Sequence, residues 1–115
     1  MTLPQKKKID DKLLAEVSRL ADLVEYQEGS VVSRTIIDQK SGTVTLFAFD
    51  EGQGLSEHTV PFDALVYAID GKVKVTISGK PFELVAGHAI IMPANQPHAL
   101  QAIGRFKMML VMIKA

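Results

Sequence analysis

The sequence contains no cysteine among its 115 residues. This absence excludes disulfide bonds and thiolate chemistry, and it is compatible with a reducing cytosol. The chain also lacks any run near the roughly 18 apolar residues that a membrane helix needs. No apolar stretch follows the basic residues of the N-terminus, so the pattern of a secretory signal is missing too. We therefore expect a cytoplasmic protein without membrane contact.

The chain has no excess of charge of either sign, since 13 basic residues face 13 acidic ones. A nucleic-acid-binding protein usually carries a basic excess or a basic stripe. The basic triplet at residues 6–8 is the exception here, and we interpret it as a solvated tail. The composition thus predicts no nucleic-acid partner.

Hydrophobic residues make up 47% of the chain, which is enough for one core in a chain of this length. Residues 9–25 place leucines and valines at helical spacing, and Asp10 or Asp11 can cap the start. We expect a tail and a short amphipathic helix in residues 1–28, packed on a β-barrel that occupies residues 29–115.

From residue 30 onward the sequence consists of short runs rich in Val, Ile, Thr and Phe, separated by turn signals. Asp70-Gly71 between two such runs predicts a β-hairpin, and Ser78-Gly79 predicts a second one. Eight or nine strands without helices between them indicate an antiparallel sandwich or barrel, because a parallel sheet needs crossover helices. Residues 43–49 carry bulky side chains on both faces, as expected where one face lines a barrel and the other meets a sheet or a second subunit.

Two spaced motifs lie between residues 52 and 98. The first comprises Gly52, His58 and Gly71, with Val60 two positions after the histidine. The second comprises Gly87, Pro93 and His98, with Asn95 at a turn position. Both resemble the paired motifs of the cupins, which are small jelly-roll barrels. The resemblance implies an all-β fold of the RmlC-like, double-stranded β-helix type.

In that family, two histidines and a glutamate of the first motif and one histidine of the second hold a divalent metal. Here Val60 replaces the second histidine, and Ala64 or Leu65 stands where the glutamate belongs. By position only His58 and His98 remain, and two imidazoles alone make a poor metal site. Asp63 is the nearest carboxylate and could be a third ligand if a bulge turned it inward. The resemblance thus implies Zn, Ni, Mn or Fe only weakly.

We expect both histidines to point into the barrel and to line a ligand pocket. The remaining pocket residues that we predict are apolar or aromatic: Val60, Leu65, Tyr67 and Met92. The alternative for all four is plain packing, since small barrels fill their interiors with side chains. Loss of a carboxylate and an imidazole makes the pocket less polar, which favours a partly apolar small-molecule ligand.

Two functions remain open at this point. The first is a barrel that binds a small molecule and performs no catalysis, with no catalytic residue assigned. The second is a metal-dependent enzyme of the dioxygenase, isomerase or lyase type, acting on a small organic substrate. The resemblance also implies a homodimer, for which residues 30–38 are a suitable edge strand.

Overall fold

The computed structural model describes residues 8–114, without the side chain of Lys8. The predicted tail up to residue 7, with two lysines of the basic triplet, lies outside this range. Within it, no helix is long and apolar enough to cross a membrane. Residues 8–114 form eight strands: β1 (Lys8–Ile9), β2 (Val31–Gln39), β3 (Gly42–Phe49), β4 (Gly54–His58), β5 (Asp63–Ile77), β6 (Lys80–Val85), β7 (Ala89–Met92) and β8 (His98–Ile113).

Two long antiparallel strands, β5 and β8, pair along almost their whole lengths and belong to both layers of the fold. Residues 63–70 of β5 and 106–113 of β8 form the centre of a larger sheet, flanked by β3, β2 and β1 on one side and by β7 on the other. Residues 72–77 and 98–103 form the centre of a smaller sheet, flanked by β4 and β6. This arrangement confirms the predicted all-β jelly-roll barrel.

The predicted hairpin at Asp70-Gly71 is wrong, because β5 runs through these residues without reversing. Gly71 marks the corner at which β5 passes from the larger sheet to the smaller one. Its pairing with β8 shifts register here, between Gly71 and Lys72. Gly71 has a φ of +78°, and a methyl group on it would overlap the carbonyl oxygen of Arg105. The glycine is thus required by a close approach of two strands.

The second predicted hairpin is confirmed. Ile77 of β5 pairs with Lys80 of β6, so the turn has only two residues. Ser78 and Gly79 both have positive φ, 49° and 80°. Two successive positive φ values are the signature of the type I′ turn, whose twist matches that of the strands it joins.

The core lies between the two sheets and is made by the alternate, inward residues of their strands. Phe49, Phe106, Val66, Val75 and Met108 are fully buried there. The opposite face of β3 carries Leu46 and Ala48, which are also fully buried. Both faces of this strand are thus covered, as its sequence predicted.

The cover on the outer face of β3 is the N-terminal segment, which is not an α-helix. The predicted helix over residues 9–25 is reduced to two 3-10 turns, Asp11–Leu13 and Leu20–Asp22. Asp10 does cap the first turn, where it accepts a hydrogen bond from the N–H of Lys12. Val17, on the apolar face of the expected helix, is fully exposed. The apolar residues of the segment have helical spacing, but only some of them pack against the sheet.

Side chains of the sheet supply hydrogen bonds that a helix would have made internally. Arg34 donates to the carbonyl oxygen of Leu23, and Lys107 donates to that of Ala21. Because these carbonyl groups are satisfied from outside, the segment can lie extended on the sheet. Its apolar side chains then pack on Leu46 and Ala48: Leu20, Leu23, Val24 and Tyr26.

Candidate histidine-pair site

The two predicted histidines meet at one end of the smaller sheet. His58 is the last residue of β4 and His98 the first of β8, and they are direct cross-strand partners. Their Nε2 atoms lie 3.2 Å apart, and their ring centroids are 4.4 Å apart at an interplanar angle of 68°. His98 is 3% exposed, whereas His58 is open to solvent. One ring of the pair therefore lies in the core and the other at the surface.

His98 faces inward because of strand alternation. It lies on the same face of β8 as Leu100 and Ala102, which are both buried, and its cross-strand partner is Ile77 of β5. The loop before it contains Asn95 at a φ of 65°, a conformation that asparagine tolerates better than most residues. Asparagine at this turn position therefore allows the turn that precedes His98.

His58 reaches its partner through a β-bulge. Leu55 pairs with Leu100, so regular alternation would bring Glu57 opposite His98. The register of β4 against β8 shifts by one residue between Leu55 and His58. This extra residue exchanges the two faces of the strand and places His58, not Glu57, beside His98.

Three polar contacts orient the two rings. Nδ1 of His58 is 2.8 Å from the carbonyl oxygen of Ser56, and Nδ1 of His98 is 3.3 Å from that of Gln96. A carbonyl oxygen only accepts hydrogen bonds, so each of these contacts is a hydrogen bond when that Nδ1 carries a proton. The two Nε2 atoms form the third contact with each other, in which the protonated one donates.

The environment of His98 favours its neutral form. Burial lowers the pKa of His98 below its ordinary value, and the adjacent imidazole of His58 lowers it further. The hydrogen bond to Gln96 acts in the opposite direction but is the smallest of the three effects. The site thus presents two adjacent imidazole nitrogens beside an apolar core.

The other predicted pocket residues are only partly brought to this pair. Met92 is buried in the core cluster that contains Ile77 and Leu100, the neighbours of His98. Val60 lies after the end of β4, so the two-residue alternation that would align it with His58 does not apply. Its carbonyl oxygen accepts a hydrogen bond from the N–H of Asn95.

Leu65 and Tyr67 do not belong to the site. They alternate along β5 with Ala64, Val66 and Ala68, which are buried in the core. Strand geometry therefore directs Leu65 and Tyr67 to the outward face of the larger sheet. This outward orientation corrects the prediction that Leu65 and Tyr67 line the pocket.

The donor set does not fit a resident metal ion. Asp63, the carboxylate that could have been a third ligand, instead accepts a hydrogen bond of 2.9 Å from the N–H of Ala94. Among residues 8–114 no group of three or more His, Asp or Glu side chains could hold a metal. Catalytic zinc sites use three protein ligands, and this chain brings together two.

The structure also contains a groove of about 440 Å³ away from the two histidines. It opens on the outward face of the smaller sheet, with Lys74, Thr76 and Gln101 along it and Gly54 and Ala99 among its lining residues. These residues alternate with the inward ones on their strands, so the groove and the histidine pair lie on opposite faces.

Sequence reasoning missed the features that orient the pair. The backbone carbonyl groups of Ser56 and Gln96 and the bulge in β4 have no residue signature of their own. One signal was available, since strand alternation from His98 also points to Leu100 as its apolar neighbour.

Comparison with known proteins agrees with this fold. Residues 45–114 match the model of the cupin domain family. A conserved protein of unknown function from Streptococcus pyogenes is 35% identical, with a TM-score of 0.84, over 88% of this chain and 89% of that one. A cupin superfamily protein from Desulfitobacterium hafniense is 27% identical, also with a TM-score of 0.84, over 98% and 95% of the two chains.

A more distant curated relative is the protein named polyketide synthase CurC of Streptomyces cyaneus. It is 25% identical over 76 residues, which are 65% of this chain and 49% of that protein. The chain thus spans about half the length of this relative. The family match covers more than half of the chain and includes both histidines, so this protein belongs to the cupin family.

Proposed function

We propose that this cupin is a binding barrel for a small organic ligand, held at the pair of His58 and His98. The observation that carries this proposal is the convergence of the two Nε2 atoms, 3.2 Å apart, with both Nδ1 atoms turned to backbone carbonyl groups. The Nε2 atoms are thus the polar atoms of the two rings that the backbone does not bind, and a ligand with hydrogen-bonding groups can contact them.

The surroundings of the pair support a ligand with an apolar part. His98 is flanked by Leu100 on its own strand and by Ile77 across from it, and both belong to the core. Most ligand sites combine an apolar lining with a few polar groups that set orientation. The exposed position of His58 leaves the pair accessible from solvent.

A screen of small fragments by NMR tests this proposal. Ligands should shift the side-chain signals of His58 and His98, and binding should be lost in the double variant His58→Ala/His98→Ala. His88→Ala is a matched control, because His88 is exposed and its Nδ1 accepts a hydrogen bond from the N–H of Val85, outside the pair. Fragments that bind the double variant as tightly as the natural protein would contradict the site.

A metal-dependent reaction of the dioxygenase, isomerase or lyase type is the second candidate. The separation of 3.2 Å between the Nε2 atoms suits two nitrogen ligands of one ion at roughly 2.0–2.1 Å each. A ligating histidine also commonly donates its other N–H to a carbonyl group. Against this candidate stands the missing third ligand.

Metal analysis separates the two candidates. Protein loaded with Zn, Ni, Mn or Fe and then desalted should retain far less than one equivalent if the site is a binding site without metal. Near-stoichiometric metal that disappears in His98→Ala, but persists in His88→Ala, would favour the second candidate instead.

We also propose that the chain forms a cytoplasmic homodimer. An apolar row crosses the outward face of the larger sheet, because each member pairs with the next: Ile37, Val44, Val111, Leu65 and Ile91. Its two ends are exposed, Ile37 at 37% and Ile91 at 62%. Exposed apolar surface of this kind is typical of an interface.

Sedimentation analysis at micromolar concentration tests the dimer. The expected species is twice the chain mass of 12.6 kDa, and Ile91→Asp should shift it toward the monomer. Ile103→Asp is the control, since Ile103 is 41% exposed but pairs with Lys72 in the smaller sheet. A monomer in the natural protein would contradict the proposal.

A further inference from the structure

We infer that Asp63 is a positioning residue that holds His58 beside His98. Its carboxylate acts through the loop of residues 93–97, by which β7 leads into β8. This inference rests on the proposed function, because it concerns how the proposed ligand site keeps its shape. It follows from the different ways in which the two histidines are anchored.

The backbone around His98 is fixed from two sides. Strand β8 pairs with the long strand β5, in which Ile77 is the cross-strand partner of His98. The residue before His98, Pro97, accepts a hydrogen bond of 2.8 Å at its carbonyl oxygen from the N–H of Ser78. Both contacts come from β5 and from the turn after it, so the position of His98 does not depend on β4.

His58 is held less firmly, because it is the last residue of β4, which flanks the smaller sheet, and it is exposed to solvent. A bulge interrupts the pairing of β4 with β8 just before His58. Strand ends with few ladder hydrogen bonds open most easily. Two residues later, the carbonyl oxygen of Val60 accepts a hydrogen bond of 2.8 Å from the N–H of Asn95. The position of Asn95 therefore determines whether the end of β4 is held.

The N–H of Asn95 reaches Val60 because the loop of residues 93–97 turns at this point. Asn95 has a φ of 65°, a left-handed conformation that persists where surrounding contacts hold it. Removal of a contact next to Asn95 should therefore relax the turn and move its N–H away from Val60. The neighbouring contact in the chain is made by Ala94.

The contact of Ala94 is supplied by Asp63. The ladder of β5 with β7 ends at the pair of Ala64 and Met92, and the next residue, Pro93, has no N–H to extend it. The carboxylate of Asp63 accepts the following N–H, that of Ala94, in a hydrogen bond of 2.9 Å. The larger sheet thus holds the loop through this side chain, and the loop holds the end of β4.

Nuclear magnetic resonance of the protein without ligand tests the inference in Asp63→Ala and Asp63→Asn. Asp63→Ala removes the acceptor, so hydrogen exchange at the N–H of Asn95 should become about tenfold faster, as for the loss of one hydrogen bond. The nuclear Overhauser cross-peak between the rings of His58 and His98, whose centroids lie 4.4 Å apart, should be lost. An amide oxygen also accepts hydrogen bonds, so Asp63→Asn should retain the cross-peak and the slow exchange.

Glu83→Ala is the matched control, because it removes an exposed carboxylate of the smaller sheet that contacts Lys72 at 3.2 Å. It should leave both measurements unchanged. A cross-peak that persists in Asp63→Ala would overturn the inference even if the free energy of unfolding fell, since Asp63 would then stabilise the fold without positioning His58. Loss of the cross-peak in Asp63→Asn would overturn it as well, because the hydrogen-bond acceptor would not be the cause.

The positioning role and the proposed function fail separately, because the cross-peak is measured without a ligand. If no fragment binds at the pair in the natural protein, the proposed function is contradicted, while loss of the cross-peak in Asp63→Ala still supports the positioning role. If fragments bind but the cross-peak is the same in Asp63→Ala as in the natural protein, the positioning role is overturned and the binding site is retained.

Discussion

Replacement of Gly71 by alanine should destabilise this protein far more than the same replacement of a glycine in a turn. Gly71 has a φ of +78°, which costs an alanine roughly 1–2 kcal/mol. The added methyl group would also overlap the carbonyl oxygen of Arg105 and lie 2.9 Å from its carbonyl carbon. Because that atom belongs to the backbone of β8, it can move only if the strands separate.

The cost of that separation follows from the strand pairing. Gly71 pairs with Phe106, which is fully buried, so moving β8 at this corner disturbs both the ladder and the core. Loss of one or two ladder hydrogen bonds costs about 1 kcal/mol each. We expect Gly71→Ala to reduce the free energy of unfolding by about 3–5 kcal/mol, out of a total of roughly 5–15 kcal/mol.

Gly79→Ala is the matched control. Gly79 has nearly the same φ, +80°, but a methyl group on it would have no neighbour within 4 Å. Only the conformational cost of roughly 1–2 kcal/mol applies there. Urea unfolding of both variants, followed by circular dichroism, measures the difference. Equal losses in the two variants would refute the argument that the close approach to Arg105 decides the effect.

Three further predictions follow from single contacts. Burial lowers the pKa of His98, so His98 binds a proton more readily in the unfolded chain than in the folded one. The free energy of unfolding should therefore fall as the pH drops through roughly 6.5. His98→Gln should flatten this dependence in urea titrations between pH 7.5 and 5.5. Leu46→Ala should lower the free energy of unfolding by about 2–5 kcal/mol, because Leu46 is fully buried under the N-terminal segment. Val17 is fully exposed, so Val17→Ala should change the free energy of unfolding by no more than about 0.5 kcal/mol in the same urea experiment. Tyr26→Phe removes the hydrogen bond to Asp70 and should cost about 1 kcal/mol, seen as faster proteolysis of the N-terminal segment; unchanged proteolysis would argue against that contact.

The N-terminal segment shows why a local pattern can mislead. Its leucines and valines recur at helical spacing, yet Ala15 has a φ of 56°, which an α-helix does not contain. The segment gains more from packing Val24 on the sheet and from the hydrogen bonds of Arg34 and Lys107. These partners lie at least 11 residues away, so residue spacing within the segment carries no sign of them.

The turn signals show the same limit. Ser78-Gly79 and Asp70-Gly71 both place residues that tolerate positive φ between apolar runs, and both positions do have it at the glycine. Ser78-Gly79 forms a hairpin turn, whereas Asp70-Gly71 lies at a corner within β5. The difference depends on whether the flanking runs pair with each other or both with β8, which only the assembled sheets decide.

The sequence by itself determined the class of fold and singled out the two histidines of the candidate site. Alternation, turn residues and motif spacing are local properties, and they sufficed to predict a jelly-roll barrel with His58 and His98 at matched positions. The tertiary structure alone decided that Leu65 and Tyr67 face outward, that Asp63 binds the backbone elsewhere, and that a bulge turns His58 toward His98. Each of these depends on register between strands far apart in the chain, and a shift of one residue reverses which face a side chain occupies.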